Sequence, residues 1–245
     1  MDNYEVLEII HTSRHGNSII AKVKEKYKES CDKTYALKLI GPLDNRLEKL
    51  MFKREIDALR TLNSCSSIVK IRGHITNVDF NKHKNWGAIL LDFVRGENLE
   101  ELDMNDFSQV KKYEICIKIL KAMQEAHSNN VLHRDIKPSN IMYNEETGEI
   151  TIIDFGTSKI KTIIDKETTI PFFSRNYSAP EVISGNDTTE ASDIFSIGAV
   201  MFKILLGVEP NGTEMMKKTM IDMMVLGELR TLIEKMITED PKERI

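Results

Sequence analysis

The chain has 245 residues, 41% hydrophobic and 29% charged, which excludes wholesale disorder and leaves room for one large domain or two small ones. Its 34 Lys and Arg against 38 Asp and Glu give a formal net charge of −4, which excludes a general electrostatic grip on nucleic acid. No apolar run approaches the roughly 18 residues of a membrane span, and the N-terminus MDNYEVLEII lacks a secretory pattern. Three distant cysteines, Cys31, Cys65 and Cys116, fit reduced thiols in a cytoplasmic protein, not a disulfide framework or a zinc site.

In chain order, residues 4–10, 18–24 and 34–40 are short runs rich in β-branched and aromatic residues, which predicts strands. Asp44 and Asn45 precede a helical pattern over 46–62. Two further strand-like runs, 68–75 and 86–94, end in Arg95-Gly96-Glu97-Asn98, where the chain changes character. Helices dominate beyond that break. Val110, Tyr113, Ile117 and Leu120 fall at helical spacing in 108–127, and 191–206 and 226–237 are apolar and helical. Strands at 141–143 and 150–153 flank a hairpin loop, Asn144 to Glu149. The coarse picture is a small strand-rich lobe followed by a larger helical lobe, and a cleft between lobes is a common place for a ligand.

One carboxylate is out of place. Leu47, Met51, Glu55 and Leu59 lie four apart along one helix face, so Glu55 sits in an apolar stripe. An uncompensated buried charge costs several kcal/mol, so Glu55 needs a cationic partner. Lys38, which shares a strand face with Ala36, is a candidate; the alternative is that Glu55 reaches solvent beside Arg54.

The densest chemistry is His133-Arg134-Asp135-Ile136-Lys137-Pro138-Ser139-Asn140, followed fourteen residues beyond Asn140 by Asp154-Phe155-Gly156. An Asn and an Asp on neighbouring strand ends can place two oxygen ligands on a hard cation. Mg²⁺ typically takes one or two carboxylates plus phosphate oxygens. Asp135 then remains to accept a proton from a nucleophile.

These residues resemble the eukaryotic-type serine/threonine protein kinase family over nearly the whole chain. The resemblance implies an α+β, bilobal fold: a small antiparallel β-sheet lobe with one helix, plus a larger mainly helical lobe. It implies one domain over 1–245, with the small lobe and hinge at 1–94 and a large lobe at 95–245 lacking the last helix. ATP is the implied phosphoryl donor, with Mg²⁺, or Mn²⁺ in its place, and the implied partners are protein substrates with Ser/Thr acceptors. No motif sets an oligomeric state.

By the same resemblance, Lys38 holds the α- and β-phosphates and Glu55 pairs with it. Asp135 is the base, Lys137 lies near the transferred phosphate, and Asn140 and Asp154 hold the metal. Leu91 is the gatekeeper, and Asp92-Phe93-Val94 is the hinge that receives adenine. Gly16, Ala36 and Met142 complete the nucleotide contacts. Glu181 of Ala179-Pro180-Glu181 pairs with Arg244, and Asp193 steadies the catalytic loop. Leu59, His133, Phe155 and Ile75 fall on spine positions. Thr162, Thr168 and Thr169 are the candidate phosphorylation sites; phosphate added at Thr168 or Thr169 would be received by Arg134 and Lys159, and Ser174 bridges the catalytic Asp and Lys.

The chain departs from the family at the phosphate loop. Where three glycines and a valine are expected it has His11, Ser13, Gly16 and Ser18, so only Gly16 survives. Losing glycines stiffens the flap or moves it off the phosphates, which implies a weaker ATP clamp. His11 and His15 either touch phosphate or are exposed loop residues. The alternative function is a pseudokinase scaffold with the same fold. A small-molecule kinase is disfavoured by Lys137 and the Ala-Pro-Glu segment.

Overall fold

The computed structural model describes residues 3–13, 17–27, 33–80, 83–156, 159–160, 176–225 and 227–245. It divides into two compact units, Met1–Ser64 with Val69–Arg95, and Cys65–Ile68 with Gly96–Ile245. Cys65–Ile68 counts with the larger unit because Ile152 N donates to Ser67 O at 2.8 Å and Ile68 bridges Ile152.

The smaller unit is a five-stranded antiparallel sheet and one helix. Its strands are β1 (Tyr4–Thr12), β2 (Ser18–Glu25), β3 (Thr34–Ile40), β4 (Ile71–Phe80) and β5 (His83–Asp92), in the order β1-β2-β3-β5-β4. Strand side chains alternate between faces. The register therefore puts Ile20, Lys38 and Ile89 in one row and Lys22, Ala36 and Leu91 in the next, on a shared face. The opposite face closes a core of Ala21, Val23, Leu37, Leu39, Val78, Trp86 and Ala88. Leu37 and Leu39 thus fix which way Lys38 points.

Helix α1 (Arg46–Thr61) starts at a capping box. Asn45 Oδ1 accepts from Glu48 N at 2.9 Å, and Glu48 Oε2 accepts from Asn45 N at 3.1 Å. Phe52, Ile56, Ala58 and Leu59 are buried along it. The sheet makes room for Phe52 at Gly87, where a Cβ would lie 2.5 Å from the Phe52 ring. Gly87→Ala is expected to lower stability in urea unfolding by about 1–3 kcal/mol through overpacking; an unchanged midpoint would refute this contact. Ile75, expected on the spine, is instead 50% exposed on β4, and its strand begins at Ile71, not at 68.

In the larger unit, α2 (Gln109–Ser128) is capped by Ser108, whose side chain accepts from Lys111 N at 3.3 Å. Helix α4 (Glu190–Leu206) is buried almost all round, as its composition requires, and packs on α2. It ends at Gly207 in the left-handed conformation. Two shorter helices follow, α5 (Thr213–Asp222) and α6 (Gly227–Met236), with α3 (Pro180–Ile183) preceding α4. Strands β6 (Glu97–Asn98), β8 (Ile141–Tyr143) and β9 (Ile150–Ile152) form one small sheet, and β7 (Val131–Leu132) pairs with β10 (Lys159–Ile160). The break read at 95–98 is a close approach. Gly96 has φ +111°, and a Cβ there would lie 2.1 Å from Tyr143 O. The Asn144–Glu149 loop is a hairpin loop closed by Asn144, which accepts from Glu146 N and Thr147 N. None of the helices among the described residues is long and apolar enough to cross a membrane.

Candidate functional site

Two groups of polar residues stand out, one in each unit. In the smaller unit Lys38 Nζ donates to Glu55 Oε1 at 2.6 Å, with the two residues 8% and 3% exposed. The partner demanded by the misplaced carboxylate is therefore Lys38, and Glu55 does not reach solvent beside Arg54. Burial of such a pair strengthens the attraction but charges a desolvation penalty to each ion. Lys38 lies on the sheet face that also carries Ala36 and Leu91.

Asp92 ends β5. Hydrogen bonds from the Arg72 guanidinium (Nε to Oδ1, 2.8 Å) hold its carboxyl below the usual carboxylate range against the upward push of burial, with Lys33 adding to the effect at 3.3 Å. The side chain is thus committed to the sheet, while Asp92 N donates to Lys70 O at 2.9 Å. Val94 follows, half-buried. Lys22 Nζ stands 4.4 Å over the Phe93 ring. Sequence reasoning had no signal for that contact.

In the larger unit the octet forms one hydrogen-bonded set. Lys137 Nζ donates to Asp135 Oδ2 at 2.7 Å, and Asn140 Nδ2 donates to Asp135 O at 2.8 Å and Oδ2 at 3.3 Å. Asn140 O accepts from Ile153 N at 2.9 Å, so the chain leaves for Asp154 directly beside Asn140. Asp154 is exposed with φ +62°, and its Oδ1 accepts from Gly156 N. Met142 lies on β8, opposite Thr151. Phe155 is fully buried, its ring 4.6 Å from that of His133.

The loop is clamped from below by the fully buried Asp193 of α4. Its Oδ2 accepts from His133 N at 2.9 Å and its Oδ1 from Arg134 N at 2.8 Å, while His127 Nε2 lies 2.9 Å from Oδ2. Arg134 has φ +72°, a conformation a non-glycine residue adopts only when its surroundings enforce it. The two amide bonds to Asp193 supply that enforcement. His127 was not singled out in the sequence; a histidine in the last turn of a helix carries no distinguishing signal.

A second buried pair braces this unit. Arg244 donates to Glu181 through Nη1 (2.6 Å) and Nη2 (2.8 Å), and also to Thr238 O, Ala191 O and Glu239 O. Ser192 Oγ adds a further bond to Glu181. Burial pushes the Glu181 carboxyl up, but the Arg244 and Ser192 hydrogen bonds outweigh it, so its pKa lies below the ordinary value. With the folded pKa below the unfolded one, this stability is present at neutral pH and is lost as pH falls through the folded pKa. Arg244→Ala is expected to cost about 3–5 kcal/mol by stranding Glu181. In urea unfolding across pH 7 to 4, the parent should lose more stability than the variant. Parallel curves would contradict this account.

Gly16, His15, Cys31, Thr162, Thr168, Thr169, Ser174 and the Lys159 side chain lie outside the described residues. Among the described residues no group of three or more His, Cys, Asp and Glu side chains is placed to hold a metal ion. The donors that do fit a hard cation are the Asp154 carboxylate and the Asn140 amide oxygen, whose Nδ2 is committed to Asp135. A set this sparse suits Mg²⁺ arriving with phosphate oxygens that complete its shell.

The chain matches the protein kinase domain family over residues 13–245. It is 33% identical over 211 residues to the mitosis inhibitor protein kinase SWE1 of Candida albicans, covering 77% of this chain and 17% of that protein. It is 29% identical over 215 residues to ribosomal protein S6 kinase 2 alpha of Xenopus laevis, covering 86% of this chain and 27% of that one. The chain therefore spans less than a third of either relative. The kinase PK-1 of Cydia pomonella granulovirus has the same fold, with a TM-score of 0.74 at 20% identity over 99% of this chain and 90% of that one.

Proposed function

This chain belongs to the eukaryotic-type serine/threonine protein kinase family, and on that premise we propose that it transfers the γ-phosphoryl group of ATP to Ser and Thr hydroxyls of protein substrates. Residues 1–245 act as one kinase domain. The observation that carries this reading is the set of Asp135, Lys137 and Asn140, joined by hydrogen bonds and held by Asp193.

Asp135 accepts the proton of the acceptor hydroxyl as its oxygen bonds to the γ-phosphorus and the bond to the β,γ-bridging oxygen breaks. Lys137, already 2.7 Å from Asp135, balances charge on the phosphoryl oxygens. Lys38, oriented by Glu55, binds the α- and β-phosphates. Asn140 and the Asp154 carboxylate would hold Mg²⁺, which would supply charge neutralisation for the phosphates. Ala36, Leu91, Asp92, Val94, Met142 and Gly16 form the nucleotide contacts. Most of the rate enhancement in such a site is positioning and electrostatics. Lys137, two residues after Asp135, supports Ser/Thr as acceptors, and Thr162, Thr168 or Thr169 is the self-phosphorylation site, received by Arg134.

Incubation with labelled ATP, Mg²⁺ and a generic protein acceptor, followed by phosphoamino-acid analysis, tests the reading. Phosphoserine and phosphothreonine are expected; phosphotyrosine alone would overturn the acceptor class. The scaffold alternative draws on the sparse glycines of the phosphate loop. It predicts no transfer, with or without a thermal shift by MgATP.

A further inference from the structure

His127 takes no part in the proposed transfer itself, yet it touches the residue that holds the catalytic loop. It sits in the last turn of α2, and the chain returns through β7 to His133. Both residues end on one carboxylate oxygen of the fully buried Asp193. His127 Nε2 lies 2.9 Å from Oδ2, and His133 N donates to the same oxygen at 2.9 Å. A carboxylate only accepts, so His127 Nε2 is the donor. Arg134 N takes the other oxygen at 2.8 Å. Three donors thus hold Asp193 in one orientation, and two of them are amides of the turn that precedes Asp135, where Arg134 has φ +72°. His127 also lines a groove of about 370 Å³ between α2 and α4, with Met123, Gln124, Glu190, Ile194 and Ile197. Its side chain, 14% exposed, therefore separates that groove from the carboxylate.

We infer that His127 is a positioning residue for phosphoryl transfer: its hydrogen bond fixes the Asp193 carboxylate, and through it the His133–Arg134 backbone that presents Asp135. The inference rests on the kinase reading above and deepens it. With the ring removed, water from the groove can bond to Asp193 Oδ2, but a water molecule does not hold the carboxylate at one angle. The two amides then follow a looser anchor, and Asp135 samples positions away from the acceptor hydroxyl. Misplacement of a reacting group by about 1 Å can cost up to ~10²-fold in rate. Nucleotide affinity, which the kinase reading assigns to other residues, is little affected.

The test compares His127→Ala, His127→Asn and His127→Gln with the parent chain, by steady-state transfer to a generic protein acceptor and by amide hydrogen exchange at His133 and Arg134. The Gln amide nitrogen can reach the place of Nε2, whereas that of Asn falls one bond short. Ala and Asn are expected to lower kcat roughly tenfold, equivalent to about 1.4 kcal/mol, with KM for MgATP within about twofold of the parent. Both should also speed exchange of the two amides, and Gln should recover most of each loss. Ala or Asn at the parental kcat would overturn the inference, whatever the loss of thermal stability. A Gln variant as slow as Asn would overturn it too, a comparison that holds even if the Ala protein does not fold. A parent chain that transfers no phosphate would instead sink the kinase reading. Amide exchange then decides the clamp on its own, and exchange unchanged by Asn would overturn it.

Discussion

Asp135→Asn is expected to lower phosphoryl transfer by roughly 10²–10⁴-fold, the usual contribution of a positioned general base. The substitution is nearly isosteric. The Asn140 bond to the backbone carbonyl of residue 135 survives it, and an amide oxygen can still accept from Lys137. Loop geometry should therefore persist, and MgATP affinity should change by no more than about twofold, the pattern of an interaction made only in the transition state. Single-turnover rates beside nucleotide titrations separate the two. Transfer at the parental rate would show that another group takes the proton.

Glu55→Ala carries an expected effect on stability as large as that of Arg244→Ala. Removing Glu55 takes a charged partner at 2.6 Å from a Lys38 that is only 8% exposed, so the loss should be about 3–5 kcal/mol. Against the 5–15 kcal/mol that holds a typical domain, that approaches unfolding of the smaller unit. The double replacement Lys38→Met/Glu55→Leu should return most of the lost stability, since apolar side chains of similar volume often replace a buried pair at no net loss. It should not return activity. Denaturant unfolding and transfer assays on the three proteins check this. A double variant that regains transfer would mean that Lys38 does not grip phosphate.

What was legible in the sequence follows from how local the cause is. The helix at Arg46–Thr61 was readable because its cap and its apolar stripe are short-range features, and Glu55 betrayed its partner by breaking that stripe. Alternation in β3 was enough to turn Lys38 onto one face. The match of the octet and Asp154 to a known family supplied Asp193 and the Glu181–Arg244 pair, whose members lie some 60 residues from their partners. Periodicity could not have joined them. The limits have equally physical causes. Two-residue strands such as β7 and β10 exist only because a distant segment pairs with them. Ile68 was read as part of a strand because it is apolar, but it serves an isolated bridge to Ile152 within the larger unit. Ile75, with the same composition signal, ended on the exposed side of β4.

The most direct test of the central claim is mass-spectrometric phosphosite mapping after the purified chain and a protein acceptor are incubated with Mg²⁺ and isotopically labelled ATP. Asp135→Asn and Asp154→Asn proteins are treated in parallel. The account predicts labelled phosphate on Ser and Thr residues with the parent chain and almost none with either variant. Labelling that is absent from the parent, or that proceeds equally in the variants, would contradict it.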